Sequence, residues 1–126
     1  MIFNDPDTVA AVRAAFDRYE AALMADDVAA MDALFHPADT TVRYGVGEVL
    51  YGIDEIRAFR KGRGGSPQRT LERVEIATFD TDLAIANAEF RREGDPRRGR
   101  QSQTWVRFAE GWKVVSAHVS IEGSQS

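Results

Sequence analysis

The sequence contains no cysteine and only two histidines, His36 and His118, among its 126 residues. The absence of cysteine excludes disulfides, a thiolate-bound zinc and a cysteine nucleophile, and it is typical of a reducing compartment. Two histidines are too few for a histidine-rich metal site. We therefore expect neither a thiolate-bound nor a histidine-rich metal site.

The sequence also lacks long apolar runs and an excess of positive charge. No apolar stretch approaches the roughly 20 residues that a membrane-spanning helix needs, and the first residues lack the basic and apolar regions of a signal peptide. The net charge of −4 argues against a nucleic-acid-binding surface. We expect a cytoplasmic protein that binds neither membranes nor nucleic acids.

What is present is the composition of an ordinary globular protein, with 44% hydrophobic and 29% charged residues. A chain of this length builds one hydrophobic core. Neither a repeat nor a linker divides it, so we expect a single domain over residues 1–126.

The first part of the chain is predicted to be helical. Asp5 and Pro6 form a typical helix start, and the apolar pattern that follows predicts a helix over residues 6–24 with Tyr19 in its buried stripe. A short helix follows a second cap at Asp26-Asp27, and a third helix begins at Gly52. The apolar side chains at helical spacing in the first helix are Val9, Val12, Phe16, Tyr19 and Leu23.

The other segments have the β-branched residues, alternation and turns of strands. The predicted strands are residues 40–44, 48–51, 69–79, 83–92, 100–109 and 112–121, and the chain is expected to fray after Ile121. The order α-α-β-β-α-β-β-β-β indicates an α+β domain in which a strongly bent antiparallel sheet wraps around the first helix. Such a cone has one open end, where a pocket forms.

Arg43 and Tyr19 are the first candidates for chemistry. Arg43 lies in a short apolar strand, so its charge must face water, pair with an acid such as Glu48, or bind an anion. Its guanidinium offers two parallel donors to a carboxylate. Tyr19 is either a core tyrosine with one hydrogen-bond partner or a phenol that transfers protons inside the cone. The second role needs a nearby cation, which we expect to be Arg43, since a cation favours the ionised phenol.

Further polar residues occur near the glycine-rich loop and along the last two strands. Arg60, Arg63 and Arg69 form either a solvated helix end or a cationic rim that attracts a small anion. Two alternating polar faces either contact water or line a wet pocket. Their members are Gln101, Gln103 and Trp105 on one strand, and Ser116, His118 and Ser120 on the other. We find no serine–histidine–acid relay, phosphate-binding loop or metal-ligand spacing.

Three segments resemble a known family: residues 43–53, residues 100–105 and residues 111–120. They are similar to the AtzH-like group, also described as oxalurate-catabolism HpxZ-like proteins, within the nuclear transport factor 2-like, or SnoaL-like, superfamily. The resemblance implies a cystatin-like cone with three helices in a bent sheet. It also implies a cofactor-independent enzyme of nitrogen catabolism, a decarboxylating amidohydrolase that acts on carboxylated ureas or related oxalurate-pathway compounds. Such ureas include 1-carboxybiuret and 1,3-dicarboxyurea.

In that family a tyrosine of the first helix and an arginine of the first strand carry the chemistry, and they match Tyr19 and Arg43. Our hypothesis is that Arg43 binds the N-carboxylate of a small anionic substrate while Tyr19 supplies a proton. The residues that we expect to complete the binding site are Arg69 for a second carboxylate, and Gln103, His118 and Ser120 for the urea.

Two other functions fit the sequence. The protein could be a non-catalytic ligand-binding or assembly subunit of a nitrogen-catabolism pathway, because cone proteins often pair through the outer face of the sheet; we expect a homodimer or homotetramer. A SnoaL-like cyclase or isomerase would need an acidic base on an inner face, where we predict no acid.

Overall fold

The computed structural model describes residues 1–123, which form three helices and six strands in the predicted order. Residues 124–126 of the predicted frayed end lie outside the described residues. The helices are α1 (Pro6–Met24), α2 (Val28–Ala33) and α3 (Ile53–Arg63). The strands are β1 (Val42–Tyr44), β2 (Val49–Tyr51), β3 (Arg69–Phe79), β4 (Leu83–Arg92), β5 (Arg98–Phe108) and β6 (Gly111–Ile121). No helix within residues 1–123 is both long and apolar enough to cross a membrane.

The start of α1 follows from its capping residues. The Asp5 carboxylate accepts a hydrogen bond from the backbone N–H of Thr8 at 3.1 Å, and Pro6 occupies the first turn, where its missing N–H is harmless. The predicted apolar stripe is buried except at Val9, which is half-buried, and its largest members are Phe16 and Tyr19. Burial of each such side chain contributes about 1.5–3 kcal/mol, so the stripe fixes α1 against the sheet.

The six strands form one sheet in the order β2-β1-β6-β5-β4-β3. All neighbouring strands are antiparallel except β1 and β6, which run parallel. The prediction of a purely antiparallel sheet is therefore wrong at this pair. Short turns force consecutive strands to be antiparallel, whereas β1 and β6 lie far apart in the chain and no turn fixes their relative direction.

Two register irregularities bend the sheet, one between Leu71 and Arg73 in β3 and one in β6, where Val115 is the extra residue opposite Thr104 and Trp105 of β5. The inner face of the sheet packs on α1. Alternate residues of β4 are buried alanines, and one of them, Ala84, pairs with the fully buried Trp105. Small side chains beside this large ring allow the core to close around it.

Strand boundaries differ from the prediction by two residues at two places and by one residue at three others. β1 begins at Val42 rather than at residue 40, because the Thr41 hydroxyl donates to the His36 carbonyl oxygen at 2.8 Å and holds the preceding residues in a turn. β5 begins at Arg98 rather than at residue 100, because its pairing with Arg91 extends the hairpin.

Candidate functional site

A cavity of about 200 Å³ lies where α1, the β1–β2 hairpin and α3 meet the inner face of the sheet. Residues from every strand of the sheet except β2 contribute to its wall. The polar residues that line it are Tyr19, Arg43, Glu48, Arg63, Ser66, Arg69, Arg92 and Gln101. It is therefore a polar cavity with a strongly cationic wall.

Tyr19 and Arg43 line this same cavity, although they lie on different elements. Tyr19 is 4% exposed and comes from the buried stripe of α1. Arg43 is 7% exposed and points inward from the middle of β1. The phenol and the guanidinium are thus two polar groups in the wall of one partly open cavity.

Arg43 forms an ion pair and also keeps donors for another ligand. Its Nη1 donates to Oε1 of Glu48 at 2.7 Å, and Phe59 lies 5.6 Å from its Cζ. Within residues 1–123 its Nε and Nη2 make no hydrogen bond. Arg43 can therefore pair with Glu48 and bind an anion at the same time. Glu48 also places a carboxylate in the cavity wall, where the sequence predicted no acid.

Gly45 makes room for this ion pair. A Cβ atom at position 45 would lie 1.7 Å from Oε1 of Glu48, far closer than van der Waals contact permits. The Gly47 N–H donates to Oε2 of the same carboxylate at 3.1 Å. The hairpin between β1 and β2 therefore folds Glu48 back over Gly45 and toward Arg43.

Arg60 is the cation that contacts Tyr19. Its Nη2 donates to the Tyr19 hydroxyl at 3.3 Å, its Nη1 donates to Oδ1 of Asp32 at 2.7 Å, and the Phe35 ring lies 4.3 Å from its Cζ. The prediction that Arg60 belongs to a solvated helix end or cationic rim is wrong, since the residue is 2% exposed. The feature of the sequence that indicates the burial of Arg60 is its position on the same face of α3 as Ile53 and Ile56.

Arg69 lies in the cavity wall, but its donors are occupied. Nε and Nη2 donate to the two carboxylate oxygens of Glu20 at 3.0 and 2.6 Å, and Nη2 also donates to Oε1 of Gln101 at 2.9 Å. Phe90 lies 4.4 Å from the guanidinium carbon. This bidentate pair leaves Arg69 little capacity for the second carboxylate that the sequence assigned to it.

Arg63 and Arg92 complete the cationic wall. Burial lowers the pKa of Arg63, and the neighbouring charge of Arg43 lowers it further. Burial and the charge of Arg69 lower the pKa of Arg92 in the same way. Sequence analysis assigned Arg92 no role, because a charged residue near a strand end is ordinarily solvated.

Three predicted binding residues do not face the cavity. Gln103 is buried beside the core, where its Oε1 accepts a hydrogen bond from Nε1 of Trp105 at 3.1 Å. His118 and Ser120 lie on the outer face, and the His118 ring meets the edge of Tyr44 at 5.5 Å. Their predicted placement is wrong because the alternate residues of β6 face inward. Gln101, two residues before Gln103, is the glutamine that reaches the cavity.

The curved sheet around α1, with a polar cavity at its end, defines a protein of the cystatin-like, nuclear transport factor 2-like class. The chain belongs to the AtzH-like family, whose model matches residues 1–125. The resemblance and the fold class predicted from the sequence are confirmed. Among curated proteins, none matches the chain.

Solved structures agree with this assignment. A protein of unknown function from Pectobacterium atrosepticum is 51% identical, with a TM-score of 0.93 over 96% of this chain and 95% of its own. A cystatin-like fold protein from Burkholderia xenovorans is 47% identical, with a TM-score of 0.94 over 99% of both chains. A Streptomyces avermitilis protein, proposed to be a dehydratase of the nuclear transport factor 2-like family, is 22% identical. Its TM-score is 0.77 over 95% of this chain and 100% of its own, a likeness of fold alone.

Proposed function

We propose that this protein is a small, cofactor-independent decarboxylating amidohydrolase of the cytoplasm that acts on carboxylated ureas such as 1-carboxybiuret or 1,3-dicarboxyurea. The observation that carries the proposal is that Tyr19 and Arg43 line one cavity. Its volume of about 200 Å³ suits a substrate smaller than a typical drug molecule. Membership in the AtzH-like family supports the same chemistry.

In this mechanism Arg43 binds the N-carboxylate of the substrate. Glu48 occupies Nη1, so Nε and Nη2 are the donors that receive the substrate oxygens. An Arg–carboxylate contact inside a partly open cavity is stronger than the same contact in water, because fewer water molecules screen it. Arg43 therefore sets the position and orientation of the group that leaves as CO2.

Tyr19 is the general acid in this mechanism. It delivers its proton to the substrate nitrogen that bears the carboxylate, the C–N bond breaks, its electron pair stays on nitrogen, and CO2 leaves. The phenolate that forms accepts the hydrogen bond from Nη2 of Arg60, which lies 3.3 Å from the hydroxyl oxygen. Arg60 thus takes the phenol-stabilising part that the sequence hypothesis gave to Arg43.

The test is the replacement of Tyr19 by phenylalanine. We expect kcat for CO2 release from freshly prepared 1,3-dicarboxyurea to fall by at least about 100-fold, with KM nearly unchanged, because only the proton is removed. Tyr44→Phe is the matched control, since the Tyr44 hydroxyl contacts Tyr51 away from the cavity. Equal rates in Tyr19→Phe and the parent protein would exclude the proton role.

Arg43→Ala is a second arm of the same experiment. The loss of the carboxylate receptor should raise KM and lower kcat together, because Arg43 contacts the substrate before and during the reaction. An unchanged KM would contradict the carboxylate-binding role, even if kcat fell.

The alternative function is a non-catalytic ligand-binding or assembly subunit, and the exposed apolar surface of β2 favours it. Val49 and Tyr51 are 59% and 55% exposed, which suits contact with another copy in a homodimer or homotetramer. A ligand raises the thermal stability of a binding subunit and of an enzyme alike. Release of CO2 faster than the spontaneous rate requires an enzyme and therefore decides between the two.

A further inference from the structure

The cavity wall offers many hydrogen-bond donors and few acceptors. Arginine carries donors only, and four arginines line the cavity within residues 1–123: Arg43, Arg63, Arg69 and Arg92. In the described part of the chain, Arg63 and Arg92 form no ion pair. Glu48 is the one carboxylate among the described residues that line the cavity. It is therefore the anionic acceptor that this wall presents to an N–H group of a ligand.

The Glu48 carboxylate is held in place through both of its oxygens. Oε1 accepts a hydrogen bond from Nη1 of Arg43 at 2.7 Å, and Oε2 accepts one from the backbone N–H of Gly47 at 3.1 Å. The backbone N–H of Gly45 donates to the carbonyl oxygen of Glu48 at 2.9 Å and closes the turn that carries the residue. The acceptor is therefore positioned before a ligand arrives, which lowers the entropic cost of binding to it.

Glu48 also keeps acceptor capacity for a ligand. An ionised carboxylate has about four lone-pair sites. The contacts with Arg43 and Gly47 use two of them. The side chain of Glu48 is 22% exposed, whereas that of Arg43 is 9% exposed. A donor on a ligand in the cavity can therefore contact the carboxylate while the pair with Arg43 stays intact.

The shared guanidinium brings this acceptor next to a bound anion. Glu48 occupies Nη1 of Arg43, Nε and Nη2 remain for an anion, and the guanidinium that carries all three nitrogens is planar. Two carboxylates around one guanidinium repel each other. An N–H group next to the ligand carboxylate offsets this repulsion, because it places a donor between the two anions. A ligand with only C–H groups at that point leaves the repulsion in place.

We propose that Glu48 is a specificity-determining residue, whose carboxylate accepts a hydrogen bond from an N–H group next to the ligand carboxylate that Arg43 binds. The Arg43–Glu48 pair recognises the carboxylate and the neighbouring N–H together. It selects against ligands in which the nitrogen is replaced by carbon or carries no hydrogen. This inference rests on the proposed function and deepens it, because the nitrogen that receives the proton of Tyr19 must already carry one hydrogen.

The first test compares N-acetylglycine with levulinate, two stable monoanions of equal length in which an N–H group is replaced by a CH2 group. We expect isothermal titration of the wild-type protein at low salt to give a Kd for N-acetylglycine at least about tenfold below that for levulinate, because levulinate brings no donor to the carboxylate of Glu48. Equal Kd values, or the absence of binding by both probes, would overturn the proposal.

Glu48→Gln then assigns the preference to its residue. The change removes a negative charge beside Arg43, so we expect levulinate to bind several-fold more tightly, while the ratio of the two Kd values falls to about two or less. If Glu48 only held Arg43 in place, the change would weaken both probes and leave the ratio as in the wild type, which would overturn the proposal. Glu48→Ala should give the same low ratio and covers the case of a misfolded glutamine variant.

Glu55→Gln is the matched control. Glu55 is exposed outside the cavity, and its Oε1 also accepts a hydrogen bond from a backbone N–H, that of Tyr51, at 2.8 Å. The ratio of the two Kd values should stay at the wild-type value in this variant. A fall equal to that in Glu48→Gln would overturn the assignment to Glu48.

A parallel assay of CO2 release separates this inference from the proposed function. Preference for N-acetylglycine without CO2 release would support the role of Glu48 and overturn the decarboxylase. Release of CO2 with equal affinity for both probes would overturn the role of Glu48 alone.

Discussion

Three arginines with buried side chains each contact one carboxylate and at least one aromatic ring. The three groups are Arg43–Glu48 with Phe59, Arg60–Asp32 with Phe35, and Arg69–Glu20 with Phe90. The ring covers a face of the planar guanidinium that water would otherwise contact, while the carboxylate balances the charge. At the scale of single residues, this combination makes an arginine acceptable inside a small domain.

Asp32→Ala tests the buried pair with Arg60. The change leaves the Arg60 charge buried without its carboxylate, so we expect the free energy of unfolding to fall by about 2–3 kcal/mol, because breaking a buried pair is costly. Urea denaturation measures this loss. Asp17→Ala breaks the exposed pair with Arg13 and should cost less than about 1 kcal/mol. Equal losses in both variants would show that burial does not strengthen the Arg60 pair.

Gly45→Ala tests the space in which Glu48 folds. The added Cβ pushes the carboxylate away from Arg43, so we expect the loss of their hydrogen bond and about 1–2 kcal/mol of unfolding free energy. Gly47→Ala is the control, because its added Cβ meets no atom within 4 Å. Denaturation curves give the energies. A crystal structure of Gly45→Ala with the Arg43–Glu48 pair intact would contradict the explanation.

At the scale of elements, the pairing of β4 with β5 positions Arg69, which lines the cavity. Phe90 and Gly99 are register partners, and a Cβ atom at position 99 would lie 2.2 Å from the buried Phe90 ring. Arg69 packs against the same ring, with its guanidinium carbon 4.4 Å from the ring centre. The absent side chain of Gly99 therefore determines where Phe90 lies and, through it, where Arg69 lies.

Gly99→Ala should move the Phe90 ring and lower the unfolding free energy by about 1–3 kcal/mol, as expected for overpacking a core. Thermal denaturation measures the change. Gly62→Ala, in α3 with nothing near its added Cβ, should instead stabilise the protein by about 0.5–1 kcal/mol, because alanine favours a helix. A neutral Gly99→Ala variant would show that the ring has room to move.

At the scale of the whole molecule, the net charge of −4 contrasts with the cationic cavity. An anionic substrate is repelled by the average surface and attracted by one opening. This difference in charge favours the approach of an anionic substrate through the opening of the cavity. The overall acidity therefore does not oppose the proposed activity on small anions.

Salt should weaken this attraction. Between ionic strengths of about 0.01 M and 0.1 M the screening length falls from about 30 Å to about 10 Å. We expect kcat/KM for a carboxylated urea to fall several-fold over this range, as measured by initial rates of CO2 release. Arg92→Gln should show a flatter dependence, because one unneutralised charge is gone. A dependence equal to that of the parent protein would exclude Arg92 from the attraction.

The sequence by itself determined the order of the elements, the bounds of α1, β3 and β4, and the presence of two alternating faces on β5 and β6. Caps, turns and periodic burial are local features, so neighbouring residues suffice to specify them. Local patterns made Tyr19 and Arg43 candidates with open alternatives, and the family resemblance selected them as the pair that carries the chemistry.

Only the tertiary structure decided which alternating face is inside, and it placed Gln101 in the cavity and His118 outside it. Only the tertiary structure also paired β1 with β6 and brought Arg60 to Tyr19, 41 residues away in the chain. An alternating pattern shows that a strand has two different faces, but it does not show which face points inward. Contacts between distant residues depend on how the whole sheet closes around α1. The chemistry of this cavity is therefore set by packing between segments that no local pattern connects.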